Sequence, residues 1–88
     1  MIKIRQAKYL AEWKFTVEFS TGETGVLDLQ ELVHRPGEMV TPLRDAAVFR
    51  QFYLELGALS WPNGFDLSPG AVHREMAQRG LLRKASAA

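Results

Sequence analysis

An α+β domain is predicted for this chain of 88 residues, with an N-terminal three-stranded antiparallel meander, short helices, a small β-hairpin and a C-terminal helix. Three observations lead there. Trp13, Phe15, Val17 and Phe19 alternate with Lys14, Thr16 and Glu18, which is the period of a half-buried strand; a helix would scatter those apolar groups around its circumference. Pro36-Gly37, Pro42 and Gly57 cut the middle of the chain into pieces that hold only short elements. Ser68-Pro69 carries an N-cap residue followed by a proline suited to the first helical position. No strand–helix alternation is long enough for a doubly wound sheet.

The elements follow in order. Residues 2–9 begin as a strand with Ile2 and Ile4 on one face and Lys3 and Arg5 on the other; Ala7 and Tyr9 break that parity, which predicts a bulge near Gln6. Residues 10–12 turn into the strand 13–19. Ser20-Thr21-Gly22-Glu23 reverses the chain into a third strand over about 24–29, where Gly25 points to a second bulge. One helical turn over 30–34 presents Leu29, Leu32 and Val33 inward and stops at Arg35-Pro36. Residues 39–43 are expected as an irregular crossing with Met39 or Leu43 inward. Asp45 caps a short helix over 46–52 with Val48, Phe49 and Phe52 on its apolar side. The pieces 53–56 and 58–61 read as a hairpin about Gly57. Pro62-Asn63-Gly64 then turns the chain, and no second hairpin is expected after it. The last helix runs over about 69–79 with Gly80 past its end, and Val72, Met76 and Arg79 lie on one side. Residues 1–83 are expected to form one domain and 84–88 a frayed tail.

Apolar residues make up 47% of the chain, ample for a core. Cysteine is absent, which excludes disulfides and thiolate chemistry. Neither a signal-like leader nor a membrane span is visible, so a cytoplasmic location is the expectation. The net charge of +1 is unevenly spread. Residues 1–14 carry Lys3, Arg5, Lys8 and Lys14 against Glu12; residues 74–88 carry Arg74, Arg79, Arg83 and Lys84 against Glu75; the segment between them is acidic. If the two ends meet, they form a basic edge suited to an acidic partner or to nucleic acid; solvated strand and helix faces are the plainer explanation.

Groups able to do chemistry are few. His34 and His73 are the only histidines, and their spacing makes no zinc motif. Among the acids, Asp45 reads as a cap, and Asp66 as an acceptor for turn or helix backbone. An enzyme or metal protein would need two of Asp28, Asp66 and His73 in one pocket. No phosphate-cradling loop and no nucleophile elbow is present. Catalytic, cofactor and metal residues are therefore all assigned as none. Trp13, Phe15 and Phe19 could stack on bases, but a sheet this small is expected to need them in its core. Trp61 stands at an exit turn, either plugging the core end or anchoring a partner.

Phe19-Ser20-Thr21-Gly22-Glu23 leading to Val26-Leu27-Asp28-Leu29, Pro42-Leu43-Arg44-Asp45 followed by Phe49, and Trp61-Pro62-Asn63-Gly64-Phe65-Asp66-Leu67-Ser68 together resemble the small bacterial domain of unknown function number 2442, over about residues 2–76. The resemblance implies a small α+β fold with an N-terminal meander and a later hairpin. Some relatives carry an added helix-turn-helix domain, and others are similar to proteins encoded beside small toxin-like partners. What this implies is an antitoxin-like or regulatory role; no catalytic residues carry over. The leading expectation is a non-enzymatic binding module that acts through a protein partner or by self-association, with Trp61, Phe65, Arg79, Leu82, Arg83 and Lys84 as contact residues. Weak, salt-sensitive nucleic-acid binding by the basic ends is the second.

Overall fold

The computed structural model describes residues 1–84. Strands β1 (Ile4–Tyr9), β2 (Lys14–Phe19) and β3 (Glu23–Asp28) form the antiparallel meander. The short strand β7 (Arg83–Lys84) joins the outer edge of β3, so the sheet order is β1-β2-β3-β7. A second sheet, β4 (Tyr53–Glu55), β5 (Ala58–Ser60) and β6 (Asp66–Leu67), is also antiparallel. Between the sheets lie helix α1 (Gln30–Val33), a 3-10 turn at Thr41–Arg44 and helix α2 (Ala46–Phe49); helix α3 (Pro69–Gln78) follows β6.

Alternation along β2 decides which face is covered. Phe15, Val17 and Phe19 are buried, and with Ile4, Leu27, Leu29, Val33, Leu43, Phe49, Leu59, Trp61, Val72 and Met76 they make one core cluster. Phe49 from α2 is its centre: its ring lies 5.2 Å from Phe15, 5.0 Å from Trp13 and 5.6 Å from Trp61. Trp61 is fully buried, and its indole N–H donates to the Phe49 carbonyl at 2.8 Å. Just beyond it the chain folds back, with Trp61 N–H donating to the Phe65 carbonyl and Gly64 N–H to the Trp61 carbonyl. The Asn63 side chain accepts from Phe65 N–H and donates to the Met39 carbonyl. One turn thereby joins the second sheet, α2 and the 37–41 loop.

The bulge in β1 is present as a register shift between Ile4 and Gln6, and the hairpin about Gly57 forms as expected. Asp45 and Ser68 cap α2 and α3, accepting from Ala47 N–H and Ala71 N–H. Several details differ. The first strand opens at Ile4; the second opens at Lys14, because Glu12 (φ 50°) and Trp13 (φ 69°) take left-handed conformations and form the tight turn between β1 and β2. Register across β2 and β3 is continuous at Gly25, with no bulge. The glycine is needed for packing: a Cβ there would lie 2.5 Å from the Leu81 carbonyl oxygen and 2.9 Å from Met76 Cε. Helix α2 stops at Phe49, short of Phe52, and the crossing before it is the 3-10 turn, with Leu43 buried and Met39 exposed. A second hairpin does follow Asn63-Gly64, because β6 pairs with β5 through Leu59–Leu67 and Ser60–Asp66. Lys84, expected in the tail, is paired with Glu23 across β3 and β7; residues 85–88 of that tail lie outside the described residues.

Candidate functional site

After Asp28 the chain leaves β3 and winds at once into α1, with the Asp28 carboxylate accepting from Gln30 N–H at 2.9 Å. Four residues make a marginal helix on their own. Here the exposed carbonyls at its end are met by Arg44, whose Nε donates to the Val33 carbonyl at 2.7 Å and whose guanidinium reaches the Arg35 carbonyl at 3.0 Å. Opposite α1 stands α3. Its C-terminus closes with Gly80 at φ 70°, Gly80 N–H donating to the Ala77 carbonyl and Leu81 N–H to the Met76 carbonyl, the paired bonds of a Schellman ending. That turn carries Leu81 back against β3.

The space left between the two helices is a groove of about 810 Å³. Leu27, Leu29, Leu32, Leu67, Val72, Met76 and Leu81 give it an apolar floor and flanks; Asp28, Glu31, His34, Arg35, Glu75 and Arg79 make its rim. Glu75 and Arg79 pair with each other at 2.8 Å along one turn of α3. The His34 ring donates through Nδ1 to the Gln30 carbonyl. Leu81 remains 42% exposed, so apolar surface stays open to solvent in the groove.

Among the residues singled out in the sequence, Arg79 lines this groove. Leu82 is half-buried against the core, and Arg83 and Lys84 lie in β7. Phe65 is half-buried with its ring 5.8 Å from Trp61. Trp61 itself corrects the partner-anchor alternative: it has no surface to offer because it plugs the core. The basic ends do not form one edge. β1 and β7 are opposite edges of the sheet, three strand spacings or about 14 Å apart. Arg5 is held by Glu18 at 2.7 Å and Arg79 by Glu75.

Of Asp28, Asp66 and His73, Asp28 alone lines the groove. Asp66 is exposed in β6. His73 lies on another face of α3, its Nε2 donating to Glu23 Oε1 on β3 at 2.7 Å. Thr21 Oγ1 donates to the same oxygen at 2.8 Å. The His73 hydrogen bond, then that from Thr21, holds the Glu23 carboxyl below the ordinary glutamate range, with the charges of His73 and Lys84 adding to the effect. Among the described residues no three histidine, aspartate or glutamate side chains gather closely enough to hold a metal ion. Arg44, which braces the α1 side of the groove through the Val33 and Arg35 carbonyls, carries no sequence signal for that role. Arg44 sits between a proline-led turn and a capping aspartate, a context that explains its neighbours and conceals the carbonyls it reaches.

Fold and groove together define a small α+β domain built from two antiparallel sheets, with an open apolar channel between two short flanking elements. Residues 4–75 match the model of the family described as Protein of unknown function (DUF2442), and the chain belongs to that family. No curated protein matches it, and no solved structure matches it.

Proposed function

We propose that the protein is a small non-enzymatic binding or regulatory module, antitoxin-like in role and located in the cytoplasm, and that it acts by docking a protein partner in the groove between α1 and α3. The observation that carries this reading is the groove's construction: a leucine-rich floor that stays open to solvent, bordered by charged side chains on both walls. Apolar surface surrounded by a polar rim is the anatomy of a protein-binding patch. Arg79, singled out from the sequence, belongs to that rim, and Leu81 replaces Leu82 as the apolar contact at the same end. Weak nucleic-acid binding loses its main support, because the two basic ends lie on opposite sheet edges and two of their arginines are already paired.

The test is a crosslinked pulldown from the native cell with three baits: wild type, Leu81→Asp and Arg79→Glu. Each variant places an acid at an exposed groove position. A partner recovered by wild type and lost from both variants is the expected result. Equal recovery by all three, or recovery of the bait alone, overturns the docking site.

A further inference from the structure

One wall of the groove is α3, and an ion pair ties that helix laterally to the main sheet. His73 and Glu23 are fifty residues apart in sequence, meet at 2.7 Å, and have side chains only 17% and 24% exposed. The His73 ring also stands edge-on to the Phe19 ring at 5.0 Å, so its position is set by the core. On the helix, His73 follows Val72, whose side chain meets the groove, while Glu75, Met76 and Arg79 continue the groove wall one turn on. His73 therefore fastens to β3 the stretch of α3 that neighbours the groove wall.

We propose that His73 and Glu23 form a proton-operated latch: while His73 is protonated it clamps α3 to β3 and holds the groove in shape, and loss of that proton lets the helix wall relax. The Glu23 carboxylate makes the bond charge-assisted whichever form the ring takes, and a protonated imidazole adds a full opposite charge that the neutral ring lacks. Once neutral, it competes poorly with the other groups facing the carboxylate. These are Thr21, which already donates to Oε1, and Lys84, which stands opposite Glu23 on β7. Glu23 can then turn to Lys84, keeping β7 in place while α3 is freed. On α3 itself the neighbouring charges are Arg74 and Glu75, and Glu75 is engaged by Arg79. The regulatory consequence rests on the groove being the docking site, but the latch acts in the protein alone.

The experiment is therefore run without a partner. Ring resonances of His73 are titrated by NMR between pH 5 and 9, and amide exchange in α3 is followed over the same range, corrected for intrinsic exchange rates. His34 also borders the groove, so the titration is repeated in His34→Gln. The expected result is a drop in α3 protection of roughly twofold to fivefold, on the scale of one side-chain ion pair, tracking His73 titration and persisting in His34→Gln. Protection in β2 should not change. In Glu23→Gln and His73→Gln the step should vanish. Protection without a step in wild type, or a step that survives in a folded His73→Gln protein, overturns the latch and leaves the docking proposal standing.

Discussion

At the scale of single residues, burial and hydrogen bonding separate the side chains that hold the fold from those that face outward. Trp61 combines the largest buried side chain with a buried N–H whose partner is the Phe49 carbonyl. Trp61→Ala is expected to cost about 3–5 kcal/mol, the range for removing a large aromatic from a core. Trp61→Phe should cost less, leaving a smaller gap and an unmet carbonyl worth about 1–3 kcal/mol. Thermal melts of the two variants check the order, and an alanine variant as stable as wild type would remove Trp61 from the core's essential parts. Glu23 gives a pH dependence whose sign follows from its lowered pKa. A carboxyl held lower in the folded state contributes stability above its unfolded value, about 4.5, and loses that contribution as pH falls through the folded value. The stability difference between wild type and Glu23→Gln should therefore shrink in denaturant titrations as pH falls below that value. A difference that grows as pH falls below it reverses the assignment.

At the scale of elements, short pieces survive because other parts of the chain complete them. The two carbonyls at the end of α1 are satisfied by Arg44 from eleven and nine residues away. Arg44→Met keeps the stem and removes the donors; it is expected to lower stability by about 1–3 kcal/mol and to raise amide exchange in α1 ahead of β2. Equal exchange in both proteins would show that water serves those carbonyls as well. The hairpin turn at Leu56-Gly57 has positive φ at both positions, 51° and 84°. Leu56 is 86% exposed, so no packing compensates for its left-handed backbone. Leu56→Asn creates the favoured pair for such a turn and should stabilise the domain by about 0.5–1 kcal/mol, read as a higher melting temperature.

The same elements show how far sequence reasoning reaches. Period-two alternation exposed β2, and capping chemistry exposed α2 and α3, because both signals are local. Aromatic parity draws Trp13 into the strand, yet it belongs to a left-handed turn that its type rarely adopts. Gly25 signalled a bulge by local rules, while its reason is the distant Leu81 carbonyl. Strand β6, two residues long, has no periodicity to read. The groove was half legible for the same reason: Arg79 could be picked from the helix face and the apolar pair Leu81-Leu82 from its place past Gly80, whereas the facing α1 wall depends on long-range closure that no local pattern encodes.

At the scale of the whole molecule, the order of strands decides what the uneven charge can do and which edge is vulnerable. The basic N-terminal strand and the basic C-terminal strand flank the sheet on opposite sides. β7 covers only Glu23 and Thr24, so along Gly25–Asp28 β3 has no further strand beside it among the described residues. Leu81 passes over Gly25, and the groove begins at Leu27. An open strand edge is a template for another strand, and short charged edge strands blunt it. Arg83 and Lys84 are such a strand. Arg83→Pro, which removes a backbone donor from β7, and a variant ending at Gly80, which removes the strand altogether, are thus expected to associate through the bared β3 edge. Solution mass over a concentration series should show dimer growing with concentration in both variants while wild type stays at its lower mass. The order of effect should follow the length of edge uncovered, so the shortened chain associates at lower concentration than Arg83→Pro. Folded variants with the same mass as wild type throughout would mean that the β3 edge needs no cover from β7, and that β7 serves mainly to seat the end of α3.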